Sequence, residues 1–196
     1  MELLTTGITF FQKGGIVMYV LLLCSLFVFS IGIERAMYFR RMDSGRAFAR
    51  DFYLALANNK WQKAELADHA RGALADILFA VITKKPEARK NPSAYMEIQS
   101  GIALAKMRKR LYYLSVIVTM APLLGLLGTI SGMITSFSVF NLESGQATAI
   151  TGGVGEALIA TAMGLCVAII SLTVHAYFSQ RIENIVTDME QCFSMV

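Results

Sequence analysis

Apolar positions run unbroken through three stretches of this chain. Residues 14–33 are 20 positions without Asp, Glu, Lys, Arg or His. Residues 111–142 are 32 such positions. Residues 157–180 are 24 positions whose only ionisable side chain is His175. A helix crossing the hydrocarbon core of a bilayer needs ~20 apolar residues, so each stretch predicts a membrane-spanning helix. The soluble alternative needs three helices apolar on every face, all buried within 196 residues, and that leaves nothing to bury them against. The fold class is therefore an all-α membrane protein with three transmembrane helices.

Charge orients these spans. Sixteen of the 18 Lys and Arg lie between Glu34 and Arg110, the exceptions being Lys13 and Arg181. Basic residues beside membrane spans stay on the cytoplasmic side. The reading is an external segment at 1–13, span one at 14–33, a cytoplasmic helical domain at 34–110 and span two at 111–140. An external turn at 141–153, span three at 154–180 and a cytoplasmic helical tail at 181–196 complete it. A signal peptide does not fit residues 1–33. Glu2 and a single Lys13 make a poor basic leader, and cleavage would move the basic segment outside.

Between spans one and two the pattern is helical. Phe48, Phe52 and Leu56 recur at i, i+4, i+8, and Leu74, Ile77, Leu78 and Val81 at i, i+3, i+4, i+7. Lys84-Lys85-Pro86 and Asn91-Pro92-Ser93 break it. Ser93 is the expected cap of a helix running through Gly101 into span two. Ile182, Ile185, Val186, Met189 and Phe193 continue span three as an amphipathic helix. Trp61 with Lys60 and Lys63 reads as a solvated helix face and not as a nucleic-acid patch.

The chemistry lies on two small-residue stripes. At 100° per residue, Gly125, Gly128, Thr129, Gly132 and Ser136 share one face of span two. Ala157, Ala160, Thr161, Gly164, Ala168, Ser171 and His175 share one face of span three. Lipid offers no hydrophobic drive between helices, so such faces mark close packing and interhelical hydrogen bonds. A hairpin centred near Gly145 puts Thr129 and Thr161 at the same depth. There they either bond their own backbones or line an ion path. Glu156, at the outer end of span three, lies about 100° off the stripe and faces a neighbouring subunit. It is either a helix-start acid or a functional one. No Asp, Glu, Lys or Arg occupies the middle of any span, so a titrating acid for proton transport has to come from another polypeptide.

Composition narrows the remaining classes. Hydrophobic residues are 55% and charged residues 16%, too few charges to coat a soluble globule. Cys24, Cys166 and Cys192 show no metal or disulfide spacing. Two histidines assemble no metal site. No nucleophile–base pair is apparent, so an enzyme and a cofactor are not expected.

Three blocks carry a family resemblance. The first is Gly14-Gly15-Ile16-Val17-Met18-Tyr19 with Leu22-Leu23-Cys24-Ser25 and Glu34-Arg35. The second is Ala121-Pro122-Leu123-Leu124-Gly125-Leu126-Leu127-Gly128-Thr129 with Gly132-Met133-Ile134 and Phe137. The third is Gly155-Glu156-Ala157-Leu158-Ile159-Ala160-Thr161-Ala162 with Gly164-Leu165 and Ala168-Ile169. Together they resemble the MotA/TolQ/ExbB proton-channel family, and three spans with the N-terminus outside look like its ExbB/TolQ branch. The family often has proline where Val20 and Ile170 stand here. The resemblance implies a homo-pentamer in the cell inner membrane around a dimer of single-span ExbD- or TolR-like partners. It implies H⁺ as the coupling ion, carried by a partner aspartate beside Thr129 and Thr161, with Glu156 as the span-three glutamate. It also implies indirect action on a TonB- or TolA-like protein. The rival expectation is a non-conducting oligomeric scaffold whose stripes, including Gly125, Gly128, Gly132 and Gly164, only pack helices.

Overall fold

The computed structural model describes residues 15–43, 49, 51–52, 72–82, 91–142 and 147–194. Among them the chain is helical, with no strand. The helices are α1 (Gly15–Met42), α2 (Ala73–Ile82), α3 (Pro92–Arg108), α4 (Leu111–Leu142) and α5 (Ala147–Phe193). Three helical runs, Gly15–Met42, Pro92–Ser138 and Gly152–Phe193, are long and apolar enough to cross a membrane. The expected external N-terminal segment, the Leu56 end of the first amphipathic pattern and the Trp61 face lie outside the described residues.

The chain divides into two compact units. The first holds residues up to Gly32 and Tyr113–His175. Its core is narrow: Leu21, Val28, Ile31, Leu114, Ile117, Ala121, Val167 and Ala168 meet along one seam. The other faces of the same helices stay apolar and open, Leu23, Leu123, Leu158 and Ile169 being more than 60% exposed. Apolar surface on that scale suits lipid or another chain, not water. Pro122 sits inside α4. It lacks the N–H that would bond the carbonyl of Val118.

The helices on either side extend further than the sequence pattern suggests. Most of the stretch expected as an external turn, 141–153, is helical: α4 reaches Leu142 and α5 starts at Ala147. The reason is packing. Gly153 lies against the Ser136 hydroxyl, where an added Cβ would overlap it, so this glycine serves a close helix contact and not a turn.

The second unit holds residues 33–112 and 176–196. In it α2 packs on α3, burying Leu74, Ile77 and Leu78 from the first and Met96, Ala103 and Met107 from the second. The cap of α3 is Asn91 and not Ser93. The Asn91 side chain accepts from the Ala94 N–H at 3.2 Å, with Pro92 at the first helical position. Asn is as good a cap as Ser, and proline pre-sets the backbone that follows it. As expected, helix α3 leads into span two in one helical run, Pro92–Ser138. It has a local turn at Lys109–Arg110, where Lys109 keeps helical dihedrals (φ −49°, ψ −41°) and its N–H bonds the Ala105 carbonyl at 3.0 Å.

That turn is clamped by a buried arginine. Arg35 is only 4% exposed. Its guanidinium donates to the carbonyls of Lys106 and Met107, both at 3.3 Å, and to Glu34 at 3.0 Å. It also lies 4.5 Å from the Tyr38 ring centroid. The two carbonyls belong to the last turn of α3, where intrahelical donors run out and a cation is favoured. Glu34 in turn pairs with Arg110. We expect Arg35→Ala to lower unfolding stability by about 2 kcal/mol, the scale of charge-assisted hydrogen bonds lost from a buried site. Arg110→Ala, at an exposed pair, should cost under ~1 kcal/mol. Thermal unfolding in detergent checks this; an unchanged midpoint for Arg35→Ala would remove the clamp.

Beyond span three, α5 continues as an amphipathic helix. Phe178, Ile182, Ile185, Met189 and Cys192 are buried, and Phe178 stacks on Phe39 with centroids 5.3 Å apart. Arg181 pairs with Asp43 at 3.3 Å. The Cys192 thiol donates to the Ala49 carbonyl at 3.8 Å. Burial, with help from Asp188, pushes that thiol up to about 11, so it is a packing group and not a nucleophile.

Candidate functional site

The two stripes read from the sequence meet. A Cβ built on Gly125 would stand 3.0 Å from both the Ala160 carbonyl oxygen and the Thr161 Cα. On Gly128 it would come within 2.6 Å of the Ala160 Cβ, and on Gly132 within 2.8 Å of the Ala157 Cβ. On Gly164 it would come within 2.6 Å of the Ala121 carbonyl oxygen and 3.0 Å of the Gly125 Cα. All four glycines thus let backbones approach, which is how helices associate without a hydrophobic drive. Hydroxyls reinforce the seam. Ser171, fully buried, donates to the Leu114 carbonyl at 3.1 Å.

The two threonines behave differently. Thr161 donates across the seam to the Gly125 carbonyl at 3.0 Å. Thr129 donates to the Leu126 carbonyl of its own helix at 2.7 Å. The register places Thr129, beside Gly128, level with Ala160, and Thr161 level with Gly125. The equal-depth pairing expected from a hairpin centred near Gly145 is therefore offset by up to about one turn. The helix contacts centre slightly before Gly145.

Both threonines share one side of the hairpin. On α4, Gly128 touches Val17 of α1 as well as Ala160, and Tyr113 meets Phe27 of α1 edge-on at 6.3 Å. Gly125, Gly132 and Ser136 face α5. Thr129 lies about 40° beyond the centre of that second face, away from α1. On α5, Val174 touches Gly32 of α1, while Ala157, Ala160 and Gly164 face α4. Thr161 again lies about 60° beyond, away from α1. Two independent helical wheels therefore put Thr129 and Thr161 on the same flank, opposite the third span.

A second hydroxyl group lies on the opposite flank. A cavity of about 250 Å³ near the start of α1 and the α4–α5 connection is lined by Gly15, Val17, Ser131, Thr135, Ser136 and Gly153 among others. The sequence reading included Ser136 but missed Ser131, Thr135 and Gly153. Ser131 and Thr135 lie an i, i+4 pair away from the main stripe, which was the available signal. Glu156 lies within α5, one residue before the buried Ala157; its side chain is outside the described residues. His175 is half-buried. No cluster of three metal-ligating side chains occurs among the described residues.

These features define a multi-pass helical membrane protein whose hairpin carries a half-buried Thr161 and a buried Thr129 on one flank and has no mid-span carboxylate. The chain belongs to the MotA/TolQ/ExbB proton channel family, whose family model matches residues 65–191, and its relatives place it with the ExbB/TolQ branch. It is 36% identical over 170 residues to biopolymer transport protein ExbB-like 1 of Synechocystis, covering 84% of this chain and 67% of that one. It is 33% identical over 166 residues to ExbB-like 3 of the same organism, covering 82% and 79%. Tol-Pal system protein TolQ of Pseudomonas aeruginosa matches at 32% over 107 residues, covering 49% and 45%. In general terms, then, this is a motor subunit of the proton-channel type.

Proposed function

We propose that this chain is the channel-forming subunit of a proton-driven motor in the cell inner membrane, with its N-terminus outside and residues 34–110 and 181–196 in the cytoplasm. Five copies surround a dimer of single-span ExbD- or TolR-like partners. Inward proton flow moves that dimer, which passes force to a TonB- or TolA-like protein and so energises transport or an envelope process. The chain is no enzyme and takes no cofactor; its coupling ion is H⁺. Thr129 and Thr161 line the path, Glu156 stands at its outer end, and the partner supplies the titrating carboxylate. Gly125, Gly128, Gly132 and Gly164 hold the wall rigid.

The observation that carries this reading is the shared flank of Thr129 and Thr161. A hydroxyl that donates to a carbonyl keeps two acceptor lone pairs. Thr161 is half-buried and Thr129 buried within the chain, so Thr161 is the more open of the two to a protonated partner group or to water. The same bonds favour the rival scaffold, since Thr161 also ties α4 to α5. One elementary charge crossing 100 mV supplies ~2.3 kcal/mol, so several protons per stroke are enough for mechanical work.

Native mass measurement of the complex tests the assembly. Co-expressed with the product of an adjacent reading frame encoding one span with an Asp in it, the protein should give a mass of five copies plus two partners. A complex lacking the partner under these conditions favours the scaffold.

A further inference from the structure

The second unit holds a groove between α3 and the end of α5. It encloses about 270 Å³ and is lined by Leu104, Met107, Val186, Met189 and Phe193, with Gly101 in its wall. Met107 and Met189 are buried beneath it, while Leu104, Val186 and Phe193 are half-buried. Its lining falls at positions 97, 101, 104 and 107 of α3 and at 186, 189, 190 and 193 of α5. These helical spacings run the groove along both helices for about 15 Å, the form that takes a third helix by its apolar face. Methionine linings adapt to the shape of a guest. A Cβ on Gly101 would meet nothing within 4 Å. Glycine weakens a helix interior but lets another backbone come close, so this one leaves room for a guest.

Charge selects the guest. Glu97 and Glu190 stand exposed at the rim, and neither pairs with a cation among the described residues. Among those residues no Lys or Arg lines the groove. An apolar groove with an acidic rim complements a basic amphipathic segment. Lipid fits poorly. Glu97 lies 14 residues before Leu111 and Glu190 10 residues beyond Gln180, about 15–21 Å along the helix from the expected span ends, and the inner leaflet is itself anionic. The partner in the proposed function spans the membrane once, so it keeps one end in the cytoplasm. Residues beside a span on that side are rich in Lys and Arg.

We propose that the α3–α5 groove takes the basic segment flanking the partner's span on the cytoplasmic side. The segment lays its apolar face on Met107 and Met189 and its cations against Glu97 and Glu190. A helical guest then carries Lys or Arg about 10–14 residues from its span. This rests on the single-span partner of the function proposed above.

Photo-cross-linking in the assembled complex tests it. The protein is co-expressed with the product of an adjacent reading frame encoding one span with an Asp in it. In a background with Cys24, Cys166 and Cys192 replaced, Thr187→Cys, exposed beside Val186, carries a benzophenone maleimide. Illumination should join this chain to the partner at residues on the cytoplasmic side of its span, several-fold more strongly than from Met37→Cys on α1. Glu97→Lys with Glu190→Lys should cut that band several-fold, and Lys→Glu or Arg→Glu changes in the partner's segment should restore it. With the partner copurifying, three results overturn the docking site: a band no stronger than the control, a band to a second copy of this chain instead, or a band indifferent to the two charge reversals. A partner that fails to copurify overturns the proposed function together with this inference.

Discussion

Thr161→Val is expected to abolish partner-dependent proton uptake while the oligomer still forms. The two effects separate because they draw on different energies. Removing one interhelical hydrogen bond inside a membrane costs ~0.6 kcal/mol on average and rarely above ~1.7. The Gly125 carbonyl that Thr161 engages belongs to a helix, so it keeps a backbone donor. Assembly should therefore survive. Transport should not, since valine offers no lone pair at a level where the spans have no carboxylate. A barrier raised by only about 1.4 kcal/mol slows flow about tenfold. Thr161→Ser should retain most of the flow, because it keeps the oxygen. Thr129→Val should behave like Thr161→Val, and the double variant should be inert. Normal uptake in the double variant, measured in vesicles with the partner present, would end the hydroxyl-path idea and leave both threonines as packing groups.

Gly164→Ala should act through the fold. Its Cβ would stand 2.6 Å from the Ala121 carbonyl oxygen and 3.0 Å from the Gly125 Cα. Both obstacles are backbone, so no side-chain rotation relieves them. Overpacking of this kind costs about 1–3 kcal/mol, and the absence of any flexible neighbour puts Gly164 at the upper end. The hairpin should splay, with loss of thermal stability in detergent and of oligomer yield. Gly101→Ala is the matched control, since open space surrounds that position within the chain; a free chain should tolerate it. Equal stability of Gly164→Ala and the native protein would mean that the α4–α5 contact is looser than described.

Much of this was legible in the sequence because a bilayer writes its demands in simple patterns. Twenty uncharged positions mark a span, and glycine or alanine every third or fourth residue marks where two spans touch. Thr129, Thr161 and the four packing glycines follow from those rules. What the sequence hid depends on register. Gly152 and Gly153 stand where a turn is expected, and only the contact of Gly153 with Ser136 explains why the helix runs on. Arg35 looks like one basic residue flanking a span among several. Its burial on the Lys106 and Met107 carbonyls requires knowing that α1 passes the end of α3. Asn91 and Ser93 are both plausible caps, and the choice turns on Pro92, which fits only just inside the helix. The side shared by the two threonines needed the position of α1, which no single-helix pattern contains.

The central claim is that this polypeptide walls the path while a companion chain carries the proton. Vesicles loaded with a pH-sensitive dye, given a membrane voltage of fixed size, test it most directly. Purified alone, the protein should leave the interior pH steady; reconstituted with the single-span partner, it should let the interior acidify, and an Asp→Asn change in the partner's span should stop that. Rapid acidification by this chain alone would contradict the account.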